Sequence, residues 1–98
     1  IDVSKIPLMD GAKIYADKFL FPAGSKRNYQ YFLDRIEENK LKYTDLMLLF
    51  DAQTSGGLLI SVPEEKAERL LNNIRSAGIG EAVIIGVFND NKGKISLG

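Results

Sequence analysis

Apolar positions along the 98-residue chain follow two different periods, and the change between them separates a helical first half from a strand-rich second half. Leu8, Met9, Ala12, Tyr15, Ala16 and Phe19 recur at three- and four-residue spacing. That spacing predicts one apolar face of a helix over residues 8–19. Pro7 suits its opening turn, and Gly11 weakens it. Phe21-Pro22-Ala23-Gly24 breaks the helix. Ser25 is placed to cap a second helix whose buried stripe is Tyr29, Phe32, Leu33 and Ile36. Residues 37–40 read as a solvated stretch. Thr44 or Asp45 then caps a short helix through Leu46-Met47-Leu48-Leu49-Phe50.

The second half reads differently. Leu58-Leu59-Ile60-Ser61-Val62 is too continuously apolar to have a wet face, which predicts a central strand covered on both sides. Pro63-Glu64-Glu65 opens a helix, with its acids near the positive end of the dipole. Ala67, Leu70, Leu71, Ile74 and Ala77 form its stripe, and Gly78 its C-terminal stop. Residues 82–88 predict another strand, Asn89-Asp90-Asn91-Lys92-Gly93 a turn, and residues 94–97 the return strand of a hairpin. Ile1-Asp2-Val3 reads as the end of a further strand. The sum is one α+β domain over residues 1–98, a mostly antiparallel sheet carrying helices.

Composition narrows the chemistry. Lys plus Arg and Asp plus Glu each number 13, so no basic excess points to nucleic acid. No apolar run reaches the roughly 18 residues of a membrane span. Cys and His are both absent. That removes disulfides, thiolate nucleophiles and zinc–thiolate sites from this chain, along with the commonest general base. It also fits a cytoplasmic protein. The chain opens on Ile1 and not on Met, which reads as an excised or processed piece of something longer.

What remains are hydroxyls, carboxylates, basic side chains and backbone N–H groups. The densest set is Gln53-Thr54-Ser55-Gly56-Gly57. Two hydroxyls and two glycines in sequence can present side-chain and backbone donors to an anion. A tight loop entering a strand uses the same residues, and for a bare Thr-Ser-Gly-Gly it is the commoner use. No Lys and no helix follow, so this is not a P-loop. Asp51 precedes it and could hold a metal-bound phosphate or a catalytic water, or simply make a turn. Pro22-Ala23-Gly24-Ser25-Lys26-Arg27-Asn28 is a helix start with basic residues beside it. Arg27 could grip a phosphate with both arms, while a plain Ser-capped helix explains the pattern equally. Glu64, Glu65 and Glu68 read as a solvated helix face, and Asp90-Asn91-Lys92-Gly93 as a hairpin turn too short for an EF-hand loop.

Four segments resemble one family. Asp51-Ala52-Gln53-Thr54-Ser55-Gly56-Gly57-Leu58-Leu59-Ile60-Ser61-Val62-Pro63 resembles the D-P-Q-T-S-G-G-L-L-(I/L)-A-V stretch of selenophosphate synthetases. Ile6-Pro7-Leu8-Met9-Asp10-Gly11-Ala12 is similar to their I-P-L-x-x-G-A, and Pro22-Ala23-Gly24-Ser25-Lys26-Arg27-Asn28 to their P-G-G-(T/S)-x-R-N. Ala82-Val83-Ile84-Ile85-Gly86-Val87-Phe88 resembles their late A-x-x-I-G-x-V strand. The order matches across nearly the whole chain. Ala52 departs from the usual Pro and Ala23 from the common Gly, and neither change removes a charge or a hydroxyl.

The resemblance implies the C-terminal domain of the aminoimidazole ribonucleotide synthetase-like superfamily, a layered α/β/α arrangement of which this chain is part. It implies ATP- and Mg²⁺-dependent phosphorylation of selenide, in a dimer. The reactive Cys or selenocysteine, its partner Lys and the metal-binding aspartates of that family lie upstream of the matched region. The chain is therefore expected to hold no catalytic or metal-binding residue, to bind no ATP or Mg²⁺ alone, and to work against the N-terminal domain of the same enzyme. Thr54, Ser55, Gly56 and Gly57 are the expected phosphate-facing group, with Arg27, Asn28 and Asp51 behind them. Two rivals stand beside this reading. One is the C-terminal domain of another superfamily member, such as a hydrogenase-maturation protein or a thiamine-phosphate kinase relative. The other is a free-standing dimerisation module.

Overall fold

A computed structural model of the chain describes residues 1–37, 41–90 and 93–98. Most of the expected solvated stretch, and Asn91 and Lys92 at the expected hairpin tip, lie outside the described residues. Four α-helices are present: α1 (Ala12–Asp17), α2 (Ala23–Phe32), α3 (Tyr43–Leu49) and α4 (Glu64–Ser76). Two short strands, β1 (Ile36–Glu37) and β2 (Ile95–Ser96), and 3-10 turns at Val3–Lys5 and Leu33–Arg35 complete the regular structure of the described residues.

The first helix is shorter than its apolar period. Gly11 has φ +81°, in the left-handed region that a right-handed helix excludes, so α1 starts after it. Its far end is a Schellman turn. Phe19 N–H returns to the Ala16 carbonyl at 2.8 Å and Leu20 N–H to Tyr15 at 2.9 Å. The left-handed residue that this motif requires is Phe19, at φ +59°. The end of α4 repeats the motif with glycine: Gly78, φ +100°, bonds back to Arg75, and Ile79 to Ile74. The expected α4 forms, with Glu64 and Glu65 in its first turn. Ala67, Leu70, Leu71 and Ile74 are half-buried while Ala77 is exposed.

Ser25 does not cap α2. Pro22 stands at the cap position, because its fixed φ lets the helix start three residues earlier. That puts Ser25 inside the first turn and fully buried. In α3, likewise, Lys42 holds the cap position, while Thr44 and Asp45 fall in the first turn and serve α1. Lys13 bridges Asp17 at 2.8 Å and Asp45 at 2.5 Å, and Thr44 Oγ1 donates to Asp17 at 3.3 Å.

Helices α1, α2 and α3 enclose the core. Met47 is fully buried, with Leu46, Ala16, Ile36 and Leu97 nearly so. Phe21, Tyr29, Tyr43 and Phe50 line one side with edge-on ring contacts.

The sheet departs from expectation. β1 and β2 pair in parallel, Ile36 opposite Ile95, where a mostly antiparallel sheet was expected. Residues 1–3 extend the arrangement: Ile1 and Val3 donate to the Ser96 and Gly98 carbonyls, and Gly98 N–H returns to Ile1. On the other side Asp2 N–H donates to the Ile85 carbonyl at 2.7 Å. The expected hairpin is absent because residues 95–98 spend their backbone bonds on β1 and on residues 1–3. Residues 58–62 form no strand and are not covered: Leu58 is 91% exposed and Leu59 78%. Among the described residues no backbone group from 54 to 62 is hydrogen-bonded, and a strand without a neighbour has nothing to hold it extended. The layered α/β/α expectation is not seen in this chain, whose sheet has two strands. The chain exposes 8002 Å², whereas a folded monomer of this size exposes about 5,600 Å².

Candidate functional site

The loop at residues 51–57 starts where α3 runs out. Phe50 N–H returns to Leu46 at 3.0 Å, Asp51 N–H to Leu48 at 3.3 Å, and Gln53 N–H to the Asp51 carbonyl at 3.1 Å. That last bond makes the bend by backbone alone. The Asp51 side chain does not form the turn expected of it. It accepts a hydrogen bond from Ser25 Oγ at 3.1 Å instead. Ser25 is 0% exposed, so its hydroxyl needs a protein partner, and Asp51 supplies it.

Thr54, Ser55, Gly56 and Gly57 are all exposed. Their hydroxyls and N–H groups bond to nothing among the described residues. A Cβ on Gly57 would meet only open space, so this glycine leaves the backbone approachable. The loop is an uncommitted row of donors. Asn28 lies elsewhere: its amide donates to the Phe50 carbonyl at 3.1 Å. Arg27 is exposed and makes no ion pair among the described residues. No hydrogen bond ties it to the loop.

A cleft of about 160 Å³ opens between α1 and α3, lined by Tyr15, Leu20, Met47 and Asp51 among others. Ligand pockets run from about 300 Å³ upward, so a nucleotide does not fit inside it. Among the described residues no group of three or more Asp, Glu, His or Cys side chains gathers. In the cluster of Lys13, Asp17 and Asp45 one amine serves two carboxylates, with Lys13 and Asp17 exposed and Asp45 half-buried. The hydrogen bonds that Lys13 donates to Asp17, then to Asp45, raise its amine above its ordinary range. The Lys13 hydrogen bond lowers the Asp17 carboxyl. The i,i+4 spacing of Lys13 and Asp17 was legible in the sequence, but the partnership with Asp45 was not.

Known proteins now bear on these residues. The chain is 38% identical over 96 residues to the selenide, water dikinase of Carboxydothermus hydrogenoformans, an overlap of 97% of this chain and 28% of that protein. It is 42% identical over 89 residues to the enzyme of that name from Caldanaerobacter subterraneus, covering 87% of this chain and 25% of the relative. The Clostridioides difficile enzyme is 39% identical over 87 residues, again covering 25% of its length. Over the region it spans, this chain belongs to the selenide, water dikinase family. It spans about a quarter of the length of the curated relatives it matches. No family model matches the chain, and no solved structure does. Among the described residues no helix is long and apolar enough to cross a membrane.

Proposed function

We propose that the chain is the C-terminal portion of a selenide, water dikinase, the part that closes over the nucleotide and presents donors to the transferring phosphate. The full-length reaction would take ATP, selenide and water to selenophosphate, AMP and orthophosphate. The carrying observation is the exposed Thr54-Ser55-Gly56-Gly57 loop, whose donors have no partner among the described residues. Phosphoryl transfer runs mainly on positioning and charge neutralisation, and such donors supply both without being acids or bases. Thr54 and Ser55 would bind phosphate oxygens through their hydroxyls, and Gly56 and Gly57 through backbone N–H. Arg27, exposed and unpaired, is second in line.

Magnesium is another matter. Among the described residues no group of three or more carboxylates gathers to cage a magnesium ion. No step is assigned to the metal here. The catalytic groups would lie in the N-terminal domain of the same polypeptide, making the 98-residue chain inactive alone. Dimeric assembly and a cytoplasmic location belong to the same reading.

The excess surface supports the claim that a larger body covers this chain. About 2,400 Å² above the monomer expectation falls within the range of permanent interfaces. Leu58, Leu59, Val87 and Phe88 are the most exposed large apolar residues of the second half.

The test is Thr54→Ala/Ser55→Ala in the full-length enzyme. Turnover of ATP to AMP and the selenophosphate yield should fall by about 10²-fold, the scale of lost transition-state donors. Unchanged turnover would sink the loop's role.

A further inference from the structure

The two segments richest in the family's motif residues meet in space, and they meet at the base of the donor loop. Ser25 Oγ donates to Asp51 Oδ1. One turn along α2, Asn28 Nδ2 donates to the Phe50 carbonyl. One residue before Ser25, Gly24 faces Ala52: a Cβ on Gly24 would stand 2.6 Å from the Ala52 Cβ, closer than carbon atoms pack. Positions 50, 51 and 52 are therefore each engaged by a different residue of α2, Asn28, Ser25 and Gly24 respectively. None of these contacts belongs to the donors themselves.

We propose that the start of α2 is a clamp that sets the direction in which the 53–57 loop leaves α3, with Ser25, Asn28 and Gly24 as positioning residues. This role rests on the loop being the phosphate-facing element proposed above. The physical reason lies in where the fixed points end. Beyond the Gln53 N–H to Asp51 carbonyl bond the loop makes no hydrogen bond among the described residues. Whatever orients residues 50–53 orients Thr54 to Gly57 as well, and an error at the base is carried to the tip. A buried hydroxyl on a carboxylate is a charge-assisted bond, stronger and more directional than a neutral one. Close approach at Gly24 adds a steric stop that allows one side of the loop and forbids the other. Asp51 is then neither a metal ligand nor a base, but the acceptor by which the loop is fastened.

The experiment uses the full-length enzyme with Ser25→Ala, Asp51→Ala, Asp51→Asn, Gly24→Ala and the Ser25→Ala/Asp51→Ala double. Kinetics are run well below the unfolding midpoint of every variant, so lost stability alone cannot lower the rate. Hydrogen exchange is read at the Asp51 and Gln53 amides, which the loop base protects. Each Ala variant should speed exchange there and lower kcat/KM by about tenfold, the scale of a charge-assisted bond lost. The double should be no worse than the worse single, because both remove one interaction. Asp51→Asn, whose amide oxygen still accepts from Ser25, should recover part of what Asp51→Ala loses. Unchanged exchange in all the Ala variants overturns the clamp. So do multiplying effects of Ser25 and Asp51, or an Asp51→Asn variant as slow as Asp51→Ala. If Thr54→Ala/Ser55→Ala leaves turnover intact while exchange responds as described, the donor role falls and the mechanical clamp stands.

Discussion

Residues 12–50 and residues 51–90 both carry strong apolar patterns, yet they end in opposite states. In the first region α1, α2 and α3 close on Met47, and Ala16, Leu46 and Ile36 are buried. In the second, no residue is buried at all. Its helix α4 forms as written, with an acidic first turn and a glycine stop. Its apolar run at 58–62 stays uncovered. A helix satisfies its own backbone and needs a neighbour only for its face. A strand needs a neighbour for its backbone as well. The contrast shows which elements this chain completes for itself.

The largest effect that would break this contrast lies at its buried extreme. Met47→Ala should cost about 2–5 kcal/mol, read by urea unfolding followed by circular dichroism. A cost under about 0.5 kcal/mol, as at ordinary surface positions, would mean the three-helix packing is not the core. Next comes Leu59→Ala. In the 98-residue chain it should stay within about 0.5 kcal/mol of the parent. In the full-length enzyme it should cost about 2 kcal/mol or more, once the residue is covered. Equal silence in both would remove the case for a covering body.

A smaller effect separates the two Schellman turns. Gly78→Ala should lose about 1 kcal/mol, since alanine resists φ +100°. Phe19→Gly should gain a few tenths, strain relief outweighing the added chain entropy. Thermal midpoints would rank them. The smallest effect is with pH. Asp17 is lowered by its Lys13 hydrogen bond, and Asp2 by its Ser4 and Lys5 bonds. A depressed carboxyl stabilises above its unfolded pKa and loses that as pH falls through its folded one. Asp17 is exposed and Asp2 only half-buried, so solvent screens both, and acid titration should show only a slight decline, confined below the ordinary carboxylate range, and a flat profile at neutral pH.

How far the sequence reached follows the same division. α4 was legible to its caps because Pro63, the paired acids and Gly78 are local signals. The approximate site of α2 and α3 was legible too, though not their caps, since Pro22 overrode Ser25. The start of α1 failed on one backbone angle at Gly11. The parallel pairing of β1 with β2 was out of reach, because two-residue strands carry no period and their partners lie 59 positions apart. For the candidate site, the Thr54 to Gly57 loop announced itself by composition. Its fastening to α2 did not, because a buried serine 26 residues away from its carboxylate leaves no local trace.

The bonds between residues 1–3 and 96–98 carry a consequence in time. They link positions 95 apart in sequence, about the longest loop this chain can close. In a polypeptide made from its N-terminus, Ile1 and Val3 can meet these partners only once residues 96–98 have been made. The three-helix cluster uses contacts available long before. The helices can thus assemble during synthesis, while the first three residues join the sheet last. The order of assembly therefore runs from the middle of the chain outward.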